Sequence, residues 1–254
     1  MCIILYKPIE ALMPTMETIK TCFENNPDGT GLLIFKGNNA IIDKGYMTFN
    51  NLKKAIKKHK LDNNSHFAIH FRIATSGKVN DKNCHPFPVS NSRKALQKLS
   101  GKTCQAIMHN GVIGAGENDL SDTQIFTRDT LYKLSPYLHD QQIRDHVEDL
   151  LINDRMLIFS DSKIYLLNDW IIDQGIYYSN DSFEYSNKFF KYSNKFFKWK
   201  NSYYTDDFVE DFMNEESVYC EYCNTEMYNS GNSDMLICGD CGNMVDVIYE
   251  KEGG

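Results

Sequence analysis

Two Cys-x-x-Cys pairs near the end of the chain, Cys220-x2-Cys223 and Cys238-x2-Cys241, stand fourteen residues apart and limit what that region can fold into. Paired knuckles at close to this spacing read as a four-thiolate structural zinc site, in which all four coordination positions are filled by protein. The flanking residues fit a knuckle: Tyr219-Cys220-Glu221-Tyr222-Cys223 and Ile237-Cys238-Gly239-Asp240-Cys241-Gly242 supply glycine where a tight turn brings backbone N–H groups toward the sulfurs. A tail of roughly 35 residues buries too little core to fold without such a staple. Disulfide pairing is the alternative, and a reducing compartment disfavours it. The expectation is a zinc ribbon over residues 217–254 that binds one structural Zn²⁺.

At 254 residues the whole chain is long enough for one sizeable domain plus a small one. Its net charge of −7 argues against nucleic-acid binding as a default, leaving it possible but not favoured. No run approaches the ~18 apolar residues of a membrane span, and no basic stretch followed by an apolar one opens the chain. No membrane partner and a cytoplasmic location are therefore expected. Residues 181–216 form a linker containing a tandem heptad, Ser186-Asn187-Lys188-Phe189-Phe190-Lys191-Tyr192 and Ser193-Asn194-Lys195-Phe196-Phe197-Lys198-Trp199. Interleaved lysines and aromatics can stack on a single strand of nucleic acid or grip an acidic partner. The other reading is a duplication whose aromatics pack on the neighbouring domain. The acidic run Asp206, Asp207, Glu210, Asp211, Glu215 and Glu216 follows closely and favours this second reading.

Apolar periodicity over residues 1–180 predicts an α+β domain. Strands are expected at Cys2–Leu5, Gly31–Phe35, Phe67–Ile73 and Cys104–His109, the last two carrying Arg72 and Asn110 to one end of a sheet. Further strands at Met156–Phe159, Ile164–Leu167 and Gly175–Tyr178 read as a meander. Helices are expected at Thr15–Asn25, Phe49–His59, Asp122–Leu134 and Asp140–Leu150.

Position 2 is a candidate nucleophile. Loss of Met1 would make Cys2 an N-terminal residue with a thiol nucleophile and a free α-amine, whose unperturbed pKa of ~7.7–8.0 suits it to act as general base. Methionine removal is permitted because the second residue is small. The plainer reading of Cys2 is the first residue of a strand.

Several short segments follow in order: His70-Phe71-Arg72-Ile73-Ala74-Thr75-Ser76-Gly77, Asn83-Cys84-His85-Pro86-Phe87, His109-Asn110-Gly111 and Ser121-Asp122-Thr123. With Met1-Cys2, the turn Asn26-Pro27-Asp28-Gly29-Thr30-Gly31 and the stretch from Asp161 to Asn180, they resemble the class II glutamine amidotransferases, the cysteine branch of the N-terminal nucleophile hydrolases. The resemblance covers about the first 180 residues. It implies a four-layer α-β-β-α sandwich of two antiparallel sheets. It also implies L-glutamine as substrate, Cys2 as nucleophile with its own α-amine as proton shuttle, and Asn110 and the Gly111 N–H as oxyanion donors. Arg72 would clamp the substrate α-carboxylate with its planar fork, Thr75 and Ser76 would contact the same carboxylate, and Asp122 would accept the α-ammonium. Where many of the family carry Trp and His, this chain has Ile73 and Ser76, which leaves the strictness of glutamine preference open.

Taken singly, the same residues have plainer roles. Arg72 could form a surface ion pair, Asp122 could cap a helix, and Asn110-Gly111 is a common hairpin turn pair. His70, His85 and His109 read as structural. Family members usually carry a second catalytic domain that receives the ammonia, and here only the small ribbon follows. The leading expectation is a glutaminase component that forms a Cys2 thioester and passes ammonia to a separate synthase partner in trans. The alternatives are a stand-alone amidase acting on another γ-glutamyl or amide substrate, and a catalytically silent binding module that uses the ribbon.

Overall fold

The computed structural model describes residues 2–74, 79–117 and 119–184, together with the backbone of three short strands further on. The chain divides into two units, Met1–Lys188 and Phe189–Gly254. The first unit runs β1 (Ile3–Lys7), α1 (Met16–Asn25), β2 (Thr30–Lys36), β3 (Asn39–Tyr46), α2 (Phe49–Lys58), β4 (Phe67–Phe71), β5 (Phe87–Pro88), α3 (Arg93–Leu96), β6 (Ser100–Thr103), β7 (Ala106–Asn110) and α4 (Asp122–Phe126). A π turn at Thr127–Leu131 then leads into α5 (Tyr132–Leu134), followed by α6 (Gln141–Leu151), β8 (Arg155–Ser160), β9 (Lys163–Leu167), β10 (Ile171–Asp173) and β11 (Ile176–Tyr178).

Seven strands form one sheet in the order β10-β11-β1-β4-β2-β3-β6, and four form a second, β5-β7-β8-β9. All pairings are antiparallel. Strand periodicity of two sends alternate side chains to opposite faces, and the burial pattern follows it. From β1, Ile3 and Leu5 join one apolar cluster with Ile19, Cys22, Leu52, Ala55 and Ile56 of α1 and α2. Ile4 and Tyr6 of the same strand join Leu33, Phe35, Ala68, Met108, Leu157 and Phe159 between the two sheets. On the far side of the second sheet, Ile107, Met156 and Ile158 pack against Phe126, Leu131, Val147 and Leu151 from the later helices. Three apolar layers therefore separate four layers of secondary structure, helix, sheet, sheet, helix.

The helices start where the sequence places hydroxyl or carboxylate caps. Thr15 accepts from the Thr18 N–H at 3.0 Å, Thr48 from Asn51 at 3.3 Å and Asp140 from Gln142 at 2.9 Å. In α2 the buried residues Leu52, Ala55 and Ile56 recur at helical spacing, and Lys57 and Lys58 sit in the last turn, where cations suit the helix dipole.

Three expectations need correction. The late strands are not one meander: β8 and β9 lie in the four-stranded sheet, while β10 and β11 join β1 in the other. Gly175 belongs to the turn before β11, with φ +80°. Arg72 and Asn110 are not delivered to one sheet, because they follow β4 and end β7 in two facing sheets.

In the second unit β12 (Met227–Asn229), β13 (Met235–Cys238) and β14 (Met244–Asp246) pair antiparallel. Cys238 ends β13. Its side chain, and Cys220, Cys223 and Cys241 altogether, lie outside the described residues, as do the linker heptads. Among the described residues no helix is long and apolar enough to cross a membrane.

Candidate active site

Cys2 precedes β1, and the pairing Ile3↔Phe71 sets it beside Arg72 at the end of β4. Its Sγ lies 3.4 Å from both the N–H and the carbonyl of Ile73, donating to the one oxygen and accepting from the one nitrogen. Its carbonyl accepts from Asn180 Nδ2 at 2.7 Å. Burial pushes the Cys2 thiol up, and the Ile73 N–H and the Arg72 charge oppose that shift without cancelling it. The group is therefore a thiol at neutral pH and needs a base to become a nucleophile.

Arg72 is buried, with 4% of its surface exposed, which excludes the surface ion pair that the residue type alone would allow. Its N–H donates to the Gly29 carbonyl at 2.8 Å and its carbonyl accepts from Asp28 N–H at 2.9 Å. Asp28 Oδ2 accepts from Ala74 N–H at 2.8 Å. The turn before β2 thus braces the backbone on either side of Ile73. Gly29 is needed there: its φ is +120°, and a Cβ would stand 2.4 Å from Cys84 Sγ. Thr75 and Ser76, expected to complete the carboxylate contacts, lie outside the described residues.

Asn110 ends β7 with its side chain toward the other sheet and is 3% exposed. Its Nδ2 donates to Ser179 Oγ at 2.9 Å, and the same oxygen accepts from the Ile4 N–H at 2.8 Å. Asn110-Gly111 is no hairpin turn; it opens the loop from β7 to α4. A Cβ on Gly111 would fall 1.8 Å from the Asp154 carboxyl carbon, so only glycine fits. Asp154 Oδ2 accepts from Val112 N–H at 2.8 Å and lies 3.2 Å from His109 Nε2. Further along the loop, Ile113 N–H donates to Asp122 Oδ2 at 2.9 Å. The loop is held by two carboxylates, one on each side.

Asp122 is the first residue of α4 and buried, and its Oδ1 accepts from Thr123 N–H at 2.8 Å. The cap of that helix is Ser121, which forms a capping box with Gln124. The Thr123 hydroxyl also donates to Oδ1, at 3.5 Å, so the acceptor position that the carboxylate keeps for a further donor is on Oδ2. A negative charge is favoured at this helix N-terminus.

Behind these groups lies a buried basic cluster. On the inward face of the seven-stranded sheet, Lys44, Gly31 and His70 occupy one row across β3, β2 and β4. A Cβ on Gly31 would be 2.1 Å from the His85 carbonyl, so the missing side chain is where the His85 segment sits. The His85 ring is 4.1 Å from that of His70 and 4.5 Å from Phe87, centroid to centroid. His70 Nε2 stands 2.9 Å from the His109 carbonyl. A carbonyl only accepts, so the ring proton is on Nε2. His70 Nδ1 and both His85 nitrogens are buried without a hydrogen-bond partner. Burial lowers His70 to about 3 and takes His85 well below the usual histidine range. Both rings stay neutral and are too weakly basic to activate a thiol, in keeping with their structural reading. Lys44 is lowered to about 7 by burial. Its Nζ donates to the carbonyls of Lys82 and Leu96 at 3.1 Å each and stands 4.0 Å from the Phe87 ring centre.

Cys2 and Arg72 are brought side by side, Asn110 is tied to Ile4 on the Cys2 strand, and Asp122 is tied to the loop that follows Asn110. Ser179, Asn180, Asp154 and Lys44 were not read from the sequence. The one available signal was a polar Ser179-Asn180 pair directly after the alternating residues of β11.

No protein-family model matches the chain, and no curated protein matches it. Among solved structures it is similar to glutamine phosphoribosylpyrophosphate (PRPP) amidotransferase from B. subtilis complexed with ADP and GMP, at 14% identity and a TM-score of 0.44, over 70% of this chain and 41% of that one. It is also similar to a structure described as the allosteric regulatory enzyme of purine biosynthesis, at 16% identity and a TM-score of 0.44, over 70% of this chain and 40% of that one. The chain spans about two fifths of the length of each.

Proposed function

We propose that the protein hydrolyses L-glutamine to glutamate and ammonia through a thioester at Cys2, after loss of Met1 frees the Cys2 α-amine. The observation that carries this reading is Cys2 set opposite the buried Arg72 by the pairing of β1 with β4, with the Asn110 amide tied through Ser179 to Ile4, two residues on from Cys2. A thiol raised by burial needs a base, and the two buried histidines close by are too weakly basic to serve. The α-amine would take the thiol proton as Sγ attacks the side-chain carbonyl carbon of glutamine. The second hydrogen of Asn110 Nδ2 and the Gly111 N–H would meet the oxyanion. The protonated amine would then deliver its proton to the departing ammonia, and water would release glutamate from the thioester.

Arg72 and Asp122 supply opposite charges for the two ends of a free amino acid, with Thr75 and Ser76 assigned to the carboxylate side. This arrangement favours an amino-acid amide over a simple amide or an internal peptide residue. Ammonia would pass to a separate synthase. Purified protein should release glutamate and ammonia in equal amounts from glutamine and leave asparagine and simple amides largely untouched. Release from other γ-glutamyl amides at a comparable kcat/KM would favour the stand-alone amidase instead.

In the second unit, Cys220, Cys223, Cys238 and Cys241 are proposed to hold one structural Zn²⁺ through four thiolates, leaving no open position for water. Metal analysis should find one zinc per chain, lost when Cys220 and Cys223 are both replaced by Ser, while glutamine hydrolysis persists. Loss of hydrolysis along with the metal would assign the ion a larger role.

A further inference from the structure

We infer that Ser179 is the positioning residue that aims the Asn110 amide at the reacting carbonyl, an inference that rests on the oxyanion role given to Asn110 above. Asn110 and the Cys2 strand belong to different sheets, so no ladder of backbone hydrogen bonds fixes one against the other. Ser179, directly after β11, bridges the gap. Its N–H donates to the Ile4 carbonyl at 3.0 Å, and its hydroxyl oxygen accepts from the Ile4 N–H at 2.8 Å and from Asn110 Nδ2 at 2.9 Å. The residue is 2% exposed, so water does not compete for these bonds.

The terminal torsion of an asparagine is broad and roughly two-fold, and packing alone barely distinguishes its two ends. Asn110 Oδ1 is buried without a hydrogen-bond partner, so that end of the amide holds nothing in place. A hydroxyl can also donate, so the bond to Ser179 fixes the plane of the group, and in the arrangement seen Ser179 Oγ accepts from Nδ2. That bond occupies one of the two Nδ2 hydrogens and leaves the second for substrate. A donor that stabilises an oxyanion must be in place before charge develops, because reorientation during the reaction gives up the benefit.

The next residue does a separate job. Asn180 Nδ2 donates to the Cys2 carbonyl at 2.7 Å, while its Oδ1 accepts from the N–H and the hydroxyl of Ser182 at 3.1 and 2.7 Å. Ser179 thus acts on the oxyanion donor and Asn180 on the nucleophile. Loss of the first should leave the intrinsic reactivity of Cys2 unchanged.

The experiment is a double-mutant cycle in the full chain, read as kcat and KM for glutamine hydrolysis and as the rate of Cys2 alkylation by iodoacetamide. Ser179→Ala should lower kcat about tenfold, part of the ~10²–10³-fold cost of losing an oxyanion donor outright. KM and the alkylation rate should stay within about twofold. Ser179→Thr keeps the hydroxyl and should retain most of the kcat. Combined with Asn110→Ala, Ser179→Ala should cost nothing further, because it acts only through that amide. A full tenfold loss persisting on the Asn110→Ala background, or a loss that appears in KM or in alkylation, would overturn the inference. If Ser179→Ala fails to fold by circular dichroism, Ser179→Cys carries the same cycle, since sulfur is a weak acceptor. An unimpaired Asn110→Ala would instead sink the parent reading of the site. An impaired Asn110→Ala beside an unimpaired Ser179→Ala would sink this inference alone.

Discussion

The space between the two sheets has an apolar end and a polar end, built from the same faces of the same strands. On β3 the inward series runs Ala40, Ile42, then Lys44; on β4, Ala68 and then His70; on β7, Ala106, Met108 and then Asn110. Register sets Ile42, Leu33 and Ala68 in one row and Lys44, Gly31 and His70 in the next. A step of two residues therefore separates an ordinary core from a cluster of desolvated bases. Strand alternation would have accepted valine or leucine at each polar position, and burying Lys44, His70 and His85 costs stability. A fold that accepts that cost at one end of a layer and avoids it at the other sets apart the end to which the proposed chemistry is assigned.

The sharpest way to break this contrast is to remove one side chain from each end. Asn110→Ala should reduce kcat by ~10²–10³-fold, equivalent to about 2.7–4 kcal/mol of transition-state stabilisation, with little change in unfolding free energy. Leu157→Ala at the apolar end should cost about 2–5 kcal/mol in stability by urea unfolding and leave kcat nearly unchanged in protein that remains folded. Exchanged outcomes would mean that the two ends have been assigned the wrong way round.

A smaller effect sharpens the polar end itself. Arg72→Lys keeps the charge but loses the planar fork, so KM for glutamine should rise by about tenfold or more while kcat falls much less. An equal loss in both parameters would place Arg72 outside the substrate contacts.

A separate effect, on stability and not on turnover, is a dependence on pH. His70 and His85 are held below their unfolded value near ~6.5, so below that pH the unfolded chain takes up protons that the folded chain refuses. Stability should be complete above pH ~6.5 and fall with acidification by about 1.4 kcal/mol per pH unit for each ring. His85→Phe should remove one proton's worth of that slope between pH 6.5 and about 4.5, as read from urea unfolding at several pH values. An unchanged slope would mean that His85 titrates in the folded protein.

The contrast between the two ends also separates what was legible in the sequence from what was not. Strands and helices with clean periodicity, such as α1, α2, α6, β4 and β8, were anticipated within two residues. β3 was not, because Lys44 points inward and interrupts its alternation. β5, β6 and β10 span only two to four residues, too few to establish a period. Asp122–Leu134 was expected as one helix, and the backbone does run on, but through a π turn in which Thr127 Oγ1 donates to the Thr123 carbonyl at 2.7 Å.

At the site, Cys2, Arg72, Asn110, Gly111 and Asp122 stand in recognisable short segments. Their supports do not, because Ser179 meets Ile4 across 175 residues and Asp154 meets Val112 across 42. Such partners are chosen by sheet register, which local pattern does not carry.

The central claim is that Cys2, freed of Met1, is the nucleophile for glutamine. Its most direct test is intact-mass and peptide analysis after treatment with a glutamine analogue bearing an electrophilic side-chain ketone. The account predicts a protein that lacks Met1, carries one adduct on Cys2 alone, is protected by excess glutamine and loses hydrolysis in step with labelling. Active protein that retains Met1, or inactivating adducts on Cys22, Cys84 or Cys104, would contradict it.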